Sequence, residues 1–347
     1  MRLTTMKIKP GSFILLLLAL VLTACEQPQP QPEAEAEGGE LTLYSGRGES
    51  LVDPLIERFQ AETGITVNVR YGGTSQLAVA LAEEGDQTNA DLYWAQDGGA
   101  LGAVHAAGLF ASLPDSLTGK APAPYRNADG TWVATSGRAR ALAYAPARVD
   151  TNALPQSVFD LTDPAYQGRV AWAPANGSFQ AAVTAMRKLV GEDSTRQWLE
   201  AMRDNGAKPY PRNSAIVQAI ADGEVDYGLP NHYYLLRFKS EDANYPVEQT
   251  YFGPGDPGNL VNVAGIGILK NSARQAAALR FVSYLLSADA QQYFASDTKE
   301  YPMIEGVEYS PGLPALRDLE ALQPQIDLES LDDLEATLAM LRDVGLL

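Results

Sequence analysis

The sequence predicts an α/β protein built as two lobes, and two observations carry that expectation. From Leu41 onward, short strand patterns alternate with amphipathic helix patterns, which implies parallel sheets with helices on their faces. About 300 residues follow the N-terminal segment, more than one hydrophobic core usually serves.

Residues 1–24 read as an export signal to be set aside before the fold is considered. Arg2, Lys7 and Lys9 make a positive start, and Phe13 to Leu22 is an apolar run too short to span a bilayer. The run ends in Leu22-Thr23-Ala24-Cys25, which looks like a bacterial lipobox. In that motif the thiol takes a diacylglycerol and the chain is cut just before it, tethering a domain to a membrane. Cys25 is the only cysteine, so disulfides, thiolate catalysis and cysteine–metal sites are excluded from the folded part. Residues 25–40 are rich in Pro, Gln, Glu and Ala without apolar periodicity and read as a solvated tether.

The domain opens with the alternating strand Leu41-Thr-Leu-Tyr44 and the turn Ser45-Gly46-Arg47-Gly48. Leu51, Leu55, Ile56 and Phe59 recur at helical spacing, with Pro54 in the first turn and Gly64 past the end. Ile65, Val67 and Val69 alternate as a strand, Leu77 to Leu81 follows as helix, and Ala90 to Trp94 as strand. Further strands are predicted near Arg140–Tyr144, at Val225–Leu229 and over the long apolar run Val261–Leu269. Helices are predicted from Phe179, over Ala215–Ala221, Ala276–Leu286, Ala290–Phe294 and Leu334–Leu341. In open sheets of this kind ligands bind beyond the carboxyl ends of strands. Attention therefore falls on Ser45–Glu49, Ala95–Asp97, Asn176–Ser178 and Asn231–Tyr234.

The formal charge is −17, and loss of Arg2, Lys7 and Lys9 takes it three units further, to −20. Such an acidic surface argues against nucleic acid; it suits a cationic ligand but serves solubility equally well. Only two histidines occur, His105 and His232, so zinc and nucleophilic catalysis are poorly supplied. His105 reads as structural, and His232 could order the adjoining Tyr233. No phosphate loop, dinucleotide fingerprint or Gly-x-Ser-x-Gly elbow is present. An envelope hydrolase would need a nucleophile and base that the sequence does not display. The chain reads as a binding protein, not an enzyme.

Asn231-His-Tyr233-Tyr234 is the most informative segment. A Tyr-Tyr pair is ordinarily packing, but this one follows a predicted strand and Pro230, where a cleft belongs. Phenolate is a hard oxygen donor suited to a small, highly charged cation, and binding such a cation would stabilise the ionised form.

Seven strings together resemble the ferric-ion-binding periplasmic proteins of bacterial iron ABC transporters. They are Leu43-Tyr-Ser-Gly-Arg47, Ala90-Asp-Leu-Tyr-Trp94, Ser136-Gly-Arg138-Ala-Arg140, Pro209-Tyr-Pro-Arg-Asn213, Gly223-Glu-Val-Asp226, Asn231-His-Tyr-Tyr234 and Glu300-Tyr-Pro302. Their order and spacing fit that family over Leu41 to Leu347. The resemblance implies two α/β lobes joined by crossing strands, with the ligand held in the cleft between them. It implies an N-terminal lobe of 41–139 plus about 264–308, and a C-terminal lobe of about 140–263 plus 309–347.

Carried over by residue, the resemblance makes Tyr233 and Tyr234 ferric ligands. Asn213 and Asn231 would line the cleft, and Gly177 and Ser178 would form a turn touching an accompanying carbonate or phosphate. Arg47 matches an arginine beside that anion, and Arg138 one near the crossover. The chain departs from the family at Gly48, where some members have histidine, and at Gln96, where those members have a carboxylate. It departs again at Glu49 and Asn176, where others have tyrosine. Glu49 is the carboxylate proposed to fill the gap, with helix-start charge as its other reading. Asp97 is a weaker candidate, and Asn176 could contribute a side-chain oxygen.

The lipobox and the resemblance together imply an envelope-anchored, monomeric capture protein that carries Fe³⁺ to an ABC permease and its ATPase. Closure around the ligand would be a hinge motion. The alternative within the same fold is a small organic or oxyanion ligand such as a phosphonate.

Overall fold

The computed structural model describes residues 39–347. The export signal, Cys25 and most of the tether lie outside the described residues. Eleven strands in chain order are β1 (Glu40–Ser45), β2 (Thr66–Tyr71), β3 (Leu92–Ala95), β4 (Val133–Ala139), β5 (Leu142–Tyr144), β6 (Val170–Trp172), β7 (Lys208–Pro209), β8 (Tyr227–Gly228), β9 (Glu248–Thr250), β10 (Val261–Ile268) and β11 (Tyr301–Pro302). They form a six-stranded sheet of order β11-β4-β10-β3-β1-β2 and a five-stranded sheet of order β7-β6-β8-β5-β9.

In the first sheet β1 runs parallel to β2 and β3, with Leu43 opposite both Val69 and Leu92. Leu41 and Leu43 are buried while Thr42 between them is not, the alternation expected of a strand with one core face. The following helix, Glu49–Thr63, buries Val52, Leu55, Ile56 and Phe59 on one face. Gly64 ends it at φ 70°, donating its N–H to the Gln60 carbonyl, a left-handed cap that glycine adopts without Cβ cost.

The sheet is mixed, unlike the parallel one predicted. The apolar run Val261–Ile268 is buried at all eight positions and lies antiparallel between β3 and β4. An apolar run marks a strand covered on both faces but carries no direction; β10 runs backwards because the chain returns to this sheet from the far lobe. Gly267 packs where an added Cβ would come within 2.5 Å of the Phe110 ring.

The chain crosses between the sheets three times. First, β4 ends at Ala139, Ala141 donates its N–H to the Pro230 carbonyl, and β5 begins in the second sheet. Second, the chain runs from β9 back into β10. Third, Leu316, Leu319, Leu328 and Leu331 join the first core, whereas Met340, Leu341 and Val344 join the second. Residues 309–332 thus pack differently from the expectation that put all of 309–347 with the C-terminal lobe. The segment Leu328–Asp332 lies on helix Gly98–Ala106 so closely that a Cβ on Gly99 would stand 2.2 Å from the Leu331 carbonyl oxygen. The crossing is pinned at Asp333, whose carboxylate meets buried Arg187 at 2.8 Å. The second sheet is covered on one face by Trp172, Phe179, Trp198 and Leu229, and on the other by Ile216, Val217 and Leu235. No helix among the described residues is long and apolar enough to cross a membrane.

Candidate metal centre

Helix His232–Glu241 follows β8 and the extended residue Asn231, so its first turn opens at the carboxyl end of a strand. Tyr233 is buried, Tyr234 half-buried, and their ring centroids are 4.3 Å apart at 30°. Burial pushes the Tyr233 phenol well above its usual value, and Tyr234 beside it adds to the rise; Arg138 pulls the other way and Glu300 raises it slightly. The buried phenol is therefore neutral at pH 7 until a cation replaces its proton.

Behind the pair lies a polar network. Asn176 caps helix Gly177–Val190, its Oδ1 accepting from the Ser178 N–H at 3.0 Å and the Ser178 hydroxyl at 2.6 Å. Asn213, at the start of helix Asn213–Ala221, donates through Nδ2 to Asn176 Oδ1 at 3.3 Å and Ser178 Oγ at 3.2 Å. Arg140 donates to Ser178 Oγ at 3.3 Å, to Asn231 Oδ1 at 3.4 Å and to the Leu229 carbonyl. Burial lowers the Arg140 pKa to about 10, and the two tyrosines pull it back upward. Gly177 fronts open space, with nothing within 4 Å of where a Cβ would stand.

The first lobe contributes Arg138, which donates to the Gln96 carbonyl. Five buried polar atoms in this region have no partner: Asn213 Oδ1, Gln96 Oε1, Arg138 Nε, Arg47 Nε and Glu300 Oε1. Buried polar groups are normally satisfied, so orphans on both sides of one polar cleft fit a site that receives a ligand.

The tyrosine pair, Asn231, Asn176, Ser178 and Asn213 thus share one neighbourhood with Arg138. Three residues singled out in the sequence make no hydrogen bond to this network's tyrosines, asparagines or Ser178. Arg47 is fully buried, donating to Glu300 at 2.7 Å and Ser136 at 3.2 Å, with its guanidinium between the rings of Trp94 and Phe294. Glu49 is exposed at the start of its helix, where its charge acts on Tyr71. Asp97 is occupied as a cap, accepting from the Ala100 N–H at 2.9 Å. Among the described residues no three His, Cys, Asp or Glu gather as a metal site.

Sequence reasoning passed over Arg140 and Arg237. Arg237 lies 4.8 Å from the Tyr233 ring centroid, and its place four residues after Tyr233 was the available signal. His232 is also more than a neighbour: its Nδ1 accepts the Ala139 N–H at 3.1 Å, and its Nε2 meets the Lys299 carbonyl at 3.0 Å.

Residues 54–321 match the family described as bacterial extracellular solute-binding protein. The Fe(3+)-binding periplasmic protein of Serratia marcescens is 32% identical over 310 residues, covering 88% of this chain and 90% of that one. A crystal structure of iron-bound HitA from Pseudomonas aeruginosa superposes with a TM-score of 0.80 at 34% identity, covering 88% of this chain and 99% of that one. The Trichodesmium protein IdiA (FutA), solved with iron and citrate ligands, gives a TM-score of 0.75 at 26% identity over 89% of this chain and all of that one. Such relatives are solute-binding transport proteins, not enzymes. The two-sheet architecture, the cleft with its tyrosine pair and these matches together identify the chain as a member of the bacterial extracellular solute-binding proteins, in the group of periplasmic ferric-ion-binding proteins.

Proposed function

We propose that this protein captures ferric ion between its lobes, with Tyr233 and Tyr234 as phenolate donors. The observation that carries the reading is the tyrosine pair itself, two adjacent phenols with rings tilted 30° at a helix start beside orphaned polar atoms. Two phenolates leave a six-coordinate ion short of oxygens. A synergistic anion supplies the rest, carbonate or phosphate or a small carboxylate of the kind seen in the Trichodesmium relative. Asn176, Gly177, Ser178, Asn213 and Asn231 line its place, with Arg138 and Arg140 as counter-charges. Glu49 is the carboxylate of the first lobe available to complete the shell on closure. Arg47 supports the lobe through Glu300 and Ser136, which engage Nη2 and Nη1, and leaves its Nε without a partner.

The protein is anchored through lipid on Cys25, works at the envelope as a monomer, and passes its ion to an ABC permease driven by its ATPase. The names of the relatives and the lipobox string support this part of the reading.

A second reading is favoured by one observation: Arg138, Arg140 and Arg237 surround the tyrosines, while Glu300 and His232, which also lie by Tyr233, are engaged by Arg47 and by backbone partners. A small oxyanion such as a phosphonate would suit that charge. One titration separates the two. The mature chain carrying Cys25→Ser should develop a visible phenolate-to-iron band when ferric ion and bicarbonate are added, and Tyr233→Phe with Tyr234→Phe should abolish it. No colour at stoichiometric iron, with heat release on adding a phosphonate, would replace the first reading by the second.

A further inference from the structure

Arg237 has an environment unlike that of a solvating surface arginine. It stands four residues after Tyr233 and three after Tyr234, on the same face of their helix. Its guanidinium carbon is 4.8 Å from the Tyr233 ring centroid and 5.8 Å from that of Tyr234. Both distances fall inside the ~6 Å within which a cation is drawn to an aromatic face. No carboxylate lies within ion-pair distance of Arg237 among the described residues. Its charge is directed at the two rings.

The other side of the guanidinium is held by the first lobe. Nη2 donates to the Thr298 carbonyl at 3.2 Å, and Thr298 closes the π-helical turn Phe294–Thr298, a rare form that recurs at functional positions. The next residue, Lys299, is the sole non-glycine at positive φ among the described residues (φ 63°), and its carbonyl receives His232 Nε2. Since His232 Nδ1 accepts the Ala139 N–H, the ring proton sits on Nε2. Two adjacent carbonyls of the first lobe thus grip the tyrosine-bearing helix of the second, one through His232 and the other through Arg237.

We infer that Arg237 is a positioning residue for the metal-binding tyrosines: it fixes the two rings and, once they are phenolates, tunes how strongly they donate to the ion. The inference rests on the ferric-ion reading above. A phenolate ring carries more negative charge than a phenol ring, so the attraction of a cation lying over it grows when the ion binds. The same cation lowers the energy of the phenolate electrons. Moving one of them to iron then takes more energy, and the colour lies at shorter wavelength than it would without Arg237.

The test uses the mature chain carrying Cys25→Ser, with ferric ion and bicarbonate as the probe. Arg237→Gln and Arg237→Met remove the charge, and Arg237→Lys keeps it; circular dichroism checks that each variant is folded. The charge-transfer band should move to longer wavelength in the Gln and Met variants and remain near its original position in the Lys variant. Ferric affinity should fall about two- to thirty-fold in the uncharged variants. A merely structural arginine would cost affinity and leave the band where it was. Gln and Met bands unmoved, or a Lys band displaced as far as theirs, would overturn the inference with the iron reading intact. A colourless unmutated chain would overturn the iron reading and this inference with it.

Discussion

Arg47 donates to the Glu300 carboxylate at 2.7 Å, and neither side chain reaches solvent. The Ser136 hydroxyl donates to the same oxygen at 2.7 Å, and the guanidinium lies against Trp94 and Phe294. Glu300 accordingly stays ionised although burial alone would raise its pKa, because Arg47 and Arg138 together lower it.

Removing one member of this pair strands the other. Glu300→Gln should lower stability by about 3–5 kcal/mol, seen as a fall in the urea midpoint with an unchanged slope. Replacing both by apolar residues, Arg47→Met with Glu300→Leu, should recover part of that loss. If Arg47→Met instead left stability unchanged and weakened ferric binding only in the presence of one anion, the buried pair would not be the role of Arg47.

Asn213 ties the cap of helix Gly177–Val190 to its own helix while its Oδ1 has no partner. Asn213→Ala should weaken ferric binding about 10- to 100-fold, the range found when groups supporting a metal site are removed. Isothermal titration with bicarbonate present measures this. An unchanged affinity would remove Asn213 from the site.

His232 gives a pH dependence whose sign can be worked out. Burial holds its pKa down at about 4, against an ordinary value near 6.5. Between those values the unfolded chain binds the proton and the folded chain does not, so stability falls as pH drops through the window. The full effect of this residue is about 3 kcal/mol. His232→Asn keeps an acceptor for the Ala139 N–H and cannot titrate. Its urea midpoint should therefore decline less than that of the parent between about pH 6.5 and 4; parallel curves would contradict the assignment.

Gly99 tests the third crossing. A methyl group there would meet the Leu331 carbonyl oxygen at 2.2 Å, backbone that must shift as a unit. Gly99→Ala should cost about 1–3 kcal/mol, measured by thermal unfolding. Gly85→Ala, where a Cβ meets nothing but φ is 52°, separates crowding from backbone strain: crowding predicts that Gly99 loses more.

Much of the site was legible because it depends on local order. Tyr233 and Tyr234 follow a strand and Pro230, so their place at a helix start could be read directly, and the helix end at Gly64 followed from a single residue. What could not be read depends on distant partners. The ion pair of Arg47 is hidden from the sequence because Glu300 lies 253 positions away. The direction of Val261–Ile268 was hidden because burial on both faces erases the alternation that would orient it. Leu316, Leu319, Leu328 and Leu331 have a spacing that suits either core, and only the fold assigns them to the first. Arg237 is legible from its place four residues after Tyr233, on the same helix face.

The position of β10 has a consequence for the order in which the protein can be completed. The strand sits between β3 and β4, yet about 120 residues of the other lobe separate it from β4 along the chain. As the polypeptide emerges N-terminus first, β3 and β4 must wait with their inner edges unpaired while the whole second sheet is made. The first lobe is therefore begun first and finished last. Its exposed edges are the interval in which a chaperone has most to protect.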